Sequence, residues 1–168
     1  MRLHLPMKHS DRTRVLGRCV LIVDDEEDTR ELLGSMLARA GANVIEAASV
    51  DEALECFRIV TVDLVVSDIR MPGRDGYSFI RELRQRPEVG ATVPALALTA
   101  CLEATDRAKA LAAGFDMYAG KPMGAMALLE LAIELMNSHP RSRRLQVAAA
   151  NGNGSLPPDT SSGTKKRE

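Results

Sequence analysis

Five apolar runs of strand length alternate with five stretches of helical periodicity between residues 19 and 138. The first run, Cys19-Val20-Leu21-Ile22-Val23, stops abruptly in five acids, Asp24-Asp25-Glu26-Glu27-Asp28. Leu32, Leu33, Met36, Leu37 and Ala40 then recur at helical spacing, which predicts a helix over 27–40 with Gly41 at its C-terminal end. A short strand is expected over 43–46. Ser49-Val50-Asp51-Glu52 has the spacing of a capping box and opens a helix with Ala53, Leu54 and Phe57 on its inner face. Leu64-Val65-Val66 is the third run, apolar without alternation, as suits a strand covered on both faces of a parallel sheet. Its charge comes only at the end, as Asp68, and Pro72-Gly73 then forces a turn.

The third helix is expected over 76–86, with Phe79, Ile80 and Leu83 inward, Arg81, Arg84 and Arg86 outward, and Pro87 just beyond. A fourth strand over 93–98 ends at Thr99-Ala100. A helix follows over 104–113 up to Gly114, and then a fifth strand over 115–118. Lys121-Pro122 precedes the last helix, over 123–137. Its Met126, Ala127, Leu128, Leu129, Leu131, Ala132, Ile133, Leu135 and Met136 span more than one stripe, a width that fits a partner or dimer face as well as a covered core helix.

Strand and helix alternating five times predict an α/β fold, a doubly wound parallel sheet. Right-handed crossovers and the flavodoxin-like order 2-1-3-4-5 bring strands 1 and 3 together at the topological switch point, where such sheets bind ligands. Asp24 and Asp25 end strand 1, Asp68 ends strand 3, Thr99 ends strand 4 and Lys121 follows strand 5. Polar groups from four strands therefore converge on one rim.

Composition changes the picture in three places. Aromatics are 3% of the 168 residues, so the core must be aliphatic and alanine-rich. Residues 19–138 hold 11 bases against 20 acids, a net of -9, whereas residues 1–18 and 139–168 each carry +4. Neither basic end has interleaved aromatics or a base-reading helical pattern, which argues for solvated tails over a nucleic-acid site. Residues 1–17 are expected to be an unstructured leader, 18–138 the folded domain and 139–168 a tail without a core of its own. Cys19, Cys56 and Cys101 form no CxxC pair, which favours reduced thiols in the cytoplasm, and no run has the length of a signal peptide or a membrane span.

Three carboxylates on one rim need a counter-ion, because each like pair about 4 Å apart costs about 4 kcal/mol at an effective dielectric near 20. An all-oxygen donor set selects a hard divalent ion, Mg²⁺ or Mn²⁺, over zinc; Cys101 would be a poor ligand for it. Mg²⁺ on carboxylates commonly serves a phosphate group, and a carboxylate beside it can accept phosphorus as an aspartyl phosphate. Lys121 would offer a point charge to the phosphoryl oxygens and Thr99 a hydroxyl. Taken singly each feature is ordinary: acids favour a helix N-terminus, an Asp before Pro-Gly is a turn residue, and Thr99 would be a cap. Their coincidence at matching strand ends carries the chemistry.

The motifs Val20-Leu21-Ile22-Val23-Asp24-Asp25-Glu26, Asp68-Ile69-Arg70-Met71-Pro72-Gly73-Arg74-Asp75-Gly76, Leu98-Thr99-Ala100, Ala113-Gly114-Phe115-Asp116 and Lys121-Pro122 resemble those of the receiver domain of two-component response regulators, over about residues 18–138. The resemblance implies that Asp68 accepts a phosphoryl group from a phosphohistidine on a sensor histidine kinase or histidine phosphotransfer protein. It implies Mg²⁺ held by Asp25 and Asp68 directly, by Asp24 chiefly through water, and by the backbone carbonyl of Arg70. Lys121 would pair with the phosphate across a cis bond to Pro122. Thr99 and Tyr118 would then move together and alter the face of the fourth helix, fifth strand and fifth helix, where a downstream protein or a second copy would dock. The chain would promote only its own phosphorylation and dephosphorylation.

The expected tail is too short and polar to fold as a DNA-binding module, so action through protein contacts, or as a phosphate relay or sink, is expected. The segment around Gly114-Phe115-Asp116 also resembles receivers fused to hybrid kinases. Arg70, two residues past Asp68, is a candidate to overhang the pocket. The rival class is a Mg²⁺-dependent phosphohydrolase with an aspartyl nucleophile, but those enzymes place a second Asp two residues on, where this chain has Arg70. A flavin site is disfavoured by the acids of the first loop, where phosphate would call for Ser, Thr and Gly.

Overall fold

The structure, a computed structural model of the chain, describes residues 15–86, 92–100 and 104–138. Its elements are β1 (Cys19–Val23), α1 (Glu27–Arg39), β2 (Asn43–Ala47), α2 (Val50–Ile59), β3 (Leu64–Asp68), α3 (Gly76–Arg84), β4 (Ala95–Thr99), α4 (Ala104–Ala113), β5 (Met117–Gly120) and α5 (Ala125–Ser138). All strand pairs are parallel and the sheet order is β2-β1-β3-β4-β5, the doubly wound arrangement expected from the alternation.

The unbroken apolar runs are explained by burial on both faces. Leu21, Val23, Val65, Ala95 and Ala97 point to one side, under α2, α3 and α4, with Phe57, Phe79, Ile80 and Leu83. Val20, Ile22, Leu64, Val66, Leu96 and Leu98 point to the other, under α1 and α5, with Leu33, Leu37, Leu128 and Met136. A side chain of period two on a strand feeds both layers, so neither layer alone shows alternation. The wide apolar surface of α5 is mostly core. Leu128, Leu129, Ala132, Ile133, Leu135 and Met136 are buried, and Met126 is the large side chain left exposed.

Several boundaries move for identifiable reasons. Val15, expected in the leader, is fully buried beside Leu33 and Leu37, and the Gly17 amide donates to the Gly41 carbonyl, so packing begins ahead of residue 18. The remainder of the leader (1–14), the tail (139–168), Pro87 and Cys101 lie outside the described residues. The fifth strand starts at Met117 rather than 115. The amides of Gly114 and Phe115 are consumed closing the end of α4, on Leu111 and Ala110, and Gly114 has φ +119°. Pro94 has no amide to give, and the fourth strand starts one residue after it, although the Pro94 carbonyl still accepts from Val65. Ser49 caps α2 as expected, accepting from the Glu52 amide at 3.3 Å, but the Glu52 carboxylate reaches the Ala48 amide at 2.8 Å.

Arg84, assigned outward by helical periodicity, is turned in. Its Nε donates to the Gly114 carbonyl at 2.9 Å, Nη1 to the Val93 carbonyl at 2.6 Å and Nη2 to Asp116 at 2.8 Å. Asp116 also accepts from the Ala95 amide at 2.8 Å. One guanidinium thus pins the end of α3 to the start of β4 and to the turn entering β5. Burial lowers its pKa and Asp116 opposes that. Arg84→Ala removes at least the bonds to Gly114, Val93 and Asp116, at about 1 kcal/mol each, and a loss of about 3 kcal/mol is expected in urea denaturation, with the m-value unchanged.

Candidate functional site

Register builds the site. Parallel pairing of β1 with β3 ends with Val23 opposite Ser67, so the next residues, Asp24 and Asp68, stand side by side at the strand ends and on the same face. Pairing of β3 with β4 sets Asp68 opposite Leu98, which brings Thr99 to the rim one residue later. β4 and β5 align Thr99 with Gly120, and Lys121 follows, its amide donating to the Thr99 carbonyl at 2.7 Å. Three strand ends thereby deliver two buried or half-buried carboxylates and an ammonium to one place, while Thr99 ends β4 on the opposite face of the sheet, beside a separate cavity.

The groups meet directly. Carboxylate oxygens of Asp24, Asp25 and Asp68 lie within 4.8 Å of one another. Lys121 Nζ sits against two of them, donating to Asp24 Oδ2 at 2.5 Å and Asp68 Oδ2 at 2.8 Å. Asp68 Oδ1 accepts the amides of Ile69 at 2.6 Å and Arg70 at 3.2 Å, and Asp24 Oδ1 accepts that of Glu26 at 3.1 Å. Burial pushes the Asp24 carboxyl above the ordinary carboxylate range, against the pull of Lys121 and the Glu26 amide. Burial also works against the Lys121 ammonium, but its bonds to Asp24 and Asp68 outweigh that and hold it above the usual lysine range. One lysine thus offsets part of three acidic charges, and the notch still favours a further cation.

The run of five acids splits its duties. Asp24 is 1% exposed and faces the notch, while Asp25 is exposed at its edge. Glu26 is the N-cap residue of α1, with Glu27 and Asp28 in the first turn, where negative charge meets the positive end of the helix dipole. Arg30, not singled out from the sequence, donates to the Asp24 carbonyl at 2.7 Å and so fixes the backbone that carries the buried acid.

Thr99 is buried and lines a cavity of about 420 Å³ together with Ile69, Arg70, Met71, Asp75, Tyr77 and Asp106. Arg70 reaches across it, with Nη2 3.9 Å from Asp106 of α4, so its side chain leans toward α4. Tyr118 on β5, aligned with Ala97, is half-buried against the layer of α2, α3 and α4, on the same face of the sheet as Thr99. The Lys121–Pro122 peptide is cis.

A residue the sequence pattern marked only as a helix start is also part of the site. The Gly76 amide donates to the Ile69 carbonyl at 2.9 Å, and its α-carbon lies so close to the Asp68 carbonyl that a β-carbon there would overlap it. The first turn of α3 therefore rests on the backbone of Asp68 itself.

The donor set suits a hard divalent cation. Three carboxylates from two adjacent strand ends converge, and among the described residues no imidazole or thiolate joins the cluster. Among the described residues no helix is long and apolar enough to cross a membrane.

Comparison with known proteins agrees with this geometry. The profile of the response regulator receiver domain matches residues 20–133. The chain is 43% identical over 112 residues to an uncharacterized 14.6 kDa protein of Leptolyngbya boryana, an alignment covering 67% of this chain and 85% of that protein. It is 36% identical to the transcriptional regulatory protein AruR of Pseudomonas aeruginosa over 77% of this chain, and spans only 52% of that longer regulator. Among solved structures, the receiver domain of a sensor histidine kinase from Pseudomonas aeruginosa, with a magnesium ion coordinated in its active-site cleft, superposes with a TM-score of 0.67. That match has 32% identity and covers 73% of this chain and 99% of the other.

Proposed function

The chain belongs to the response regulator receiver family, whose members work in phosphorelay signal transduction, and on that basis we propose that Asp68 is its phosphoryl acceptor. The observation that carries this reading is Lys121 bonded at once to Asp24 and Asp68, within a cluster of three carboxylates at the strand ends. A carboxylate oxygen of Asp68 forms the bond to phosphorus as the bond to the donor histidine nitrogen breaks, and the imidazole leaves with the electron pair. Lys121 shifts from the carboxylates toward the incoming phosphoryl oxygens, and the Thr99 hydroxyl donates one further bond. Asp24, Asp25, Asp68 and the Arg70 carbonyl would hold Mg²⁺, which supplies charge neutralisation for the transferring group.

Phosphorylation adds nearly two negative charges and three acceptor oxygens at this rim. Thr99 and Tyr118 would follow the new charge and reset the face of α4, β5 and α5 for a downstream protein partner, or for a second copy of the chain. Where an aspartyl phosphohydrolase would carry its second acid, two residues past the nucleophile, this chain has a cation that pairs with Asp106. The chain would thus act as a signalling domain, without a separate substrate, and direct DNA binding is not expected of it. We place the exchange in the cytoplasm, where Cys19 and Cys56 would remain reduced.

Three outcomes are expected. At tenfold over its dissociation constant, Mg²⁺ should stabilise the fold by about 1.4 kcal/mol, read as a shift between thermal melts in MgCl₂ and in EDTA. Asp25→Asn, at an exposed position, should remove most of that shift without lowering the EDTA melt. A phosphorylated histidine phosphotransfer protein should lose its phosphate to the chain in the presence of Mg²⁺ and keep it when offered Asp68→Asn. Phosphate retained by the donor against the parent chain, tried with several such proteins, would count against the acceptor role.

A further inference from the structure

Between β3 and α3 the chain runs without regular structure over 69–75, yet this loop serves the notch directly. The Ile69 and Arg70 amides hold Asp68 Oδ1, and the Arg70 carbonyl belongs to the proposed cation site. Ile69 and Met71 bury their side chains and anchor the loop from beneath. Sideways it is held by Arg74. Nη1 donates to Asp51 Oδ1 in the first turn of α2 at 2.6 Å, and Nη2 donates to Glu82 of α3. Glu82 is gripped from its other side by Arg86 Nη2 at 2.9 Å, and Arg86 Nη1 reaches the Leu54 carbonyl of α2 at 3.3 Å. Arg74 lies next to Asp75, whose carboxylate caps α3 through the Ser78 amide at 2.7 Å.

This network is a poor device for stability. Arg74 is 39% and Asp51 80% exposed, and ion pairs at such positions add little to folding. It is a good device for geometry, because a planar fork bonded to carboxylates on two separate helices fixes the backbone that carries it. We propose that Arg74 is a positioning residue for phosphoryl acceptance. By bridging Asp51 and Glu82 it holds the 69–75 loop so that the Arg70 carbonyl and the two amides face the Asp68 notch. Cation affinity then depends on a side chain that touches neither cation nor phosphate. The inference rests on the acceptor reading above and names a control on the same site.

Charge gives a test by sign. If Arg74 acted only as a nearby cation, its removal would tighten Mg²⁺ binding to the acidic notch. Positioning requires the opposite. The experiment uses the full chain, with Arg74→Lys, which keeps the charge and loses the fork, and Arg74→Gln, which loses both. Mg²⁺ alone is titrated by calorimetry, and amide hydrogen exchange is followed in EDTA. Both variants are expected to bind Mg²⁺ about 3- to 10-fold more weakly, at or below the range seen when groups behind metal ligands are removed. Amides of 69–76 should exchange faster while those of β1 and α1 keep the parent's rates, and phosphorylation by acetyl phosphate should recover to near the parent's rate at saturating Mg²⁺. Unchanged or tighter binding in Arg74→Gln, or unchanged loop exchange, would overturn the inference while leaving the acceptor role intact. A parent chain that binds no Mg²⁺ would overturn both.

Discussion

Lys121→Ala is expected to slow phosphorylation by about 100-fold while leaving Mg²⁺ affinity equal to or tighter than the parent's, the rate loss being that typical of removing one stabilising donor from a reaction centre. The two effects oppose each other for a physical reason. Lys121 Nζ is bonded to Asp24 and Asp68 at 2.5 and 2.8 Å, so it neutralises the same carboxylates that a divalent ion would neutralise. Its removal leaves the notch more negative, which favours Mg²⁺ by Coulomb attraction. The transferring phosphoryl group, however, loses the ammonium that sits against Asp24 and Asp68, placed to follow its oxygens. Burial already raises the Asp24 carboxyl, and without Lys121 that rise is opposed only by the Glu26 amide. Rates from acetyl phosphate at saturating Mg²⁺, set beside calorimetric Mg²⁺ affinity, separate the effects. A variant that loses Mg²⁺ affinity and rate in parallel would show that Lys121 shapes the site rather than serving the phosphoryl group.

Gly76→Ala is expected to be the most damaging single methyl in the domain, costing about 3 kcal/mol, the upper end of ordinary overpacking. The added β-carbon would overlap the Asp68 carbonyl oxygen and stand 2.9 Å from the Ile69 α-carbon and 3.2 Å from the Asp68 carbonyl carbon. All three are backbone atoms and none can rotate away. Relief requires α3 to lift, which breaks the 2.9 Å bond from the Gly76 amide to the Ile69 carbonyl. The damage therefore lands on the segment that aims Asp68, and phosphorylation should fall along with stability. Urea denaturation measures the first and the acetyl phosphate rate the second; a variant within about 0.5 kcal/mol of the parent, the range of an ordinary surface change, would show that α3 accommodates the methyl.

The sheet order and the notch were legible because both follow from period and position. Uninterrupted apolar runs mark strands buried on both faces, and in a parallel sheet the residue after each run must fall on the same rim. That argument puts Asp24, Asp68 and Lys121 together, as the bonds of Lys121 show, and brings Thr99 only to the same rim. Position puts Asp24 first after the run, but five adjacent acids carry no period of their own, and the turn into α1 is what buries Asp24 and leaves Asp25 exposed.

Arg84 was misplaced for a related reason. Charge at a helical position reads as solvent-facing, and the carbonyls of Val93 and Gly114 that draw it inward are absent from any local pattern. Val15 sits in a charged leader beside Leu16, with Thr13 and Gly17 at strand spacing and no periodic apolar run to mark it. Phe115 and Asp116 look like strand, but closure of the end of α4 and the bond from Asp116 to the edge of β4 claim their backbone first. Gly76 looked like a helix start because its close approach to Asp68 is a tertiary fact, visible only once α3 is seen resting on the strand end.

The most direct test of the acceptor role is intact mass measurement of the purified chain after incubation with acetyl phosphate, with and without Mg²⁺, beside Asp68→Asn. The parent is expected to gain the mass of one phosphoryl group only when Mg²⁺ is present and to lose it again on standing, while Asp68→Asn gains none. A parent that stays unmodified in Mg²⁺, or an Asp68→Asn variant that takes up the same group, would contradict the assignment of Asp68.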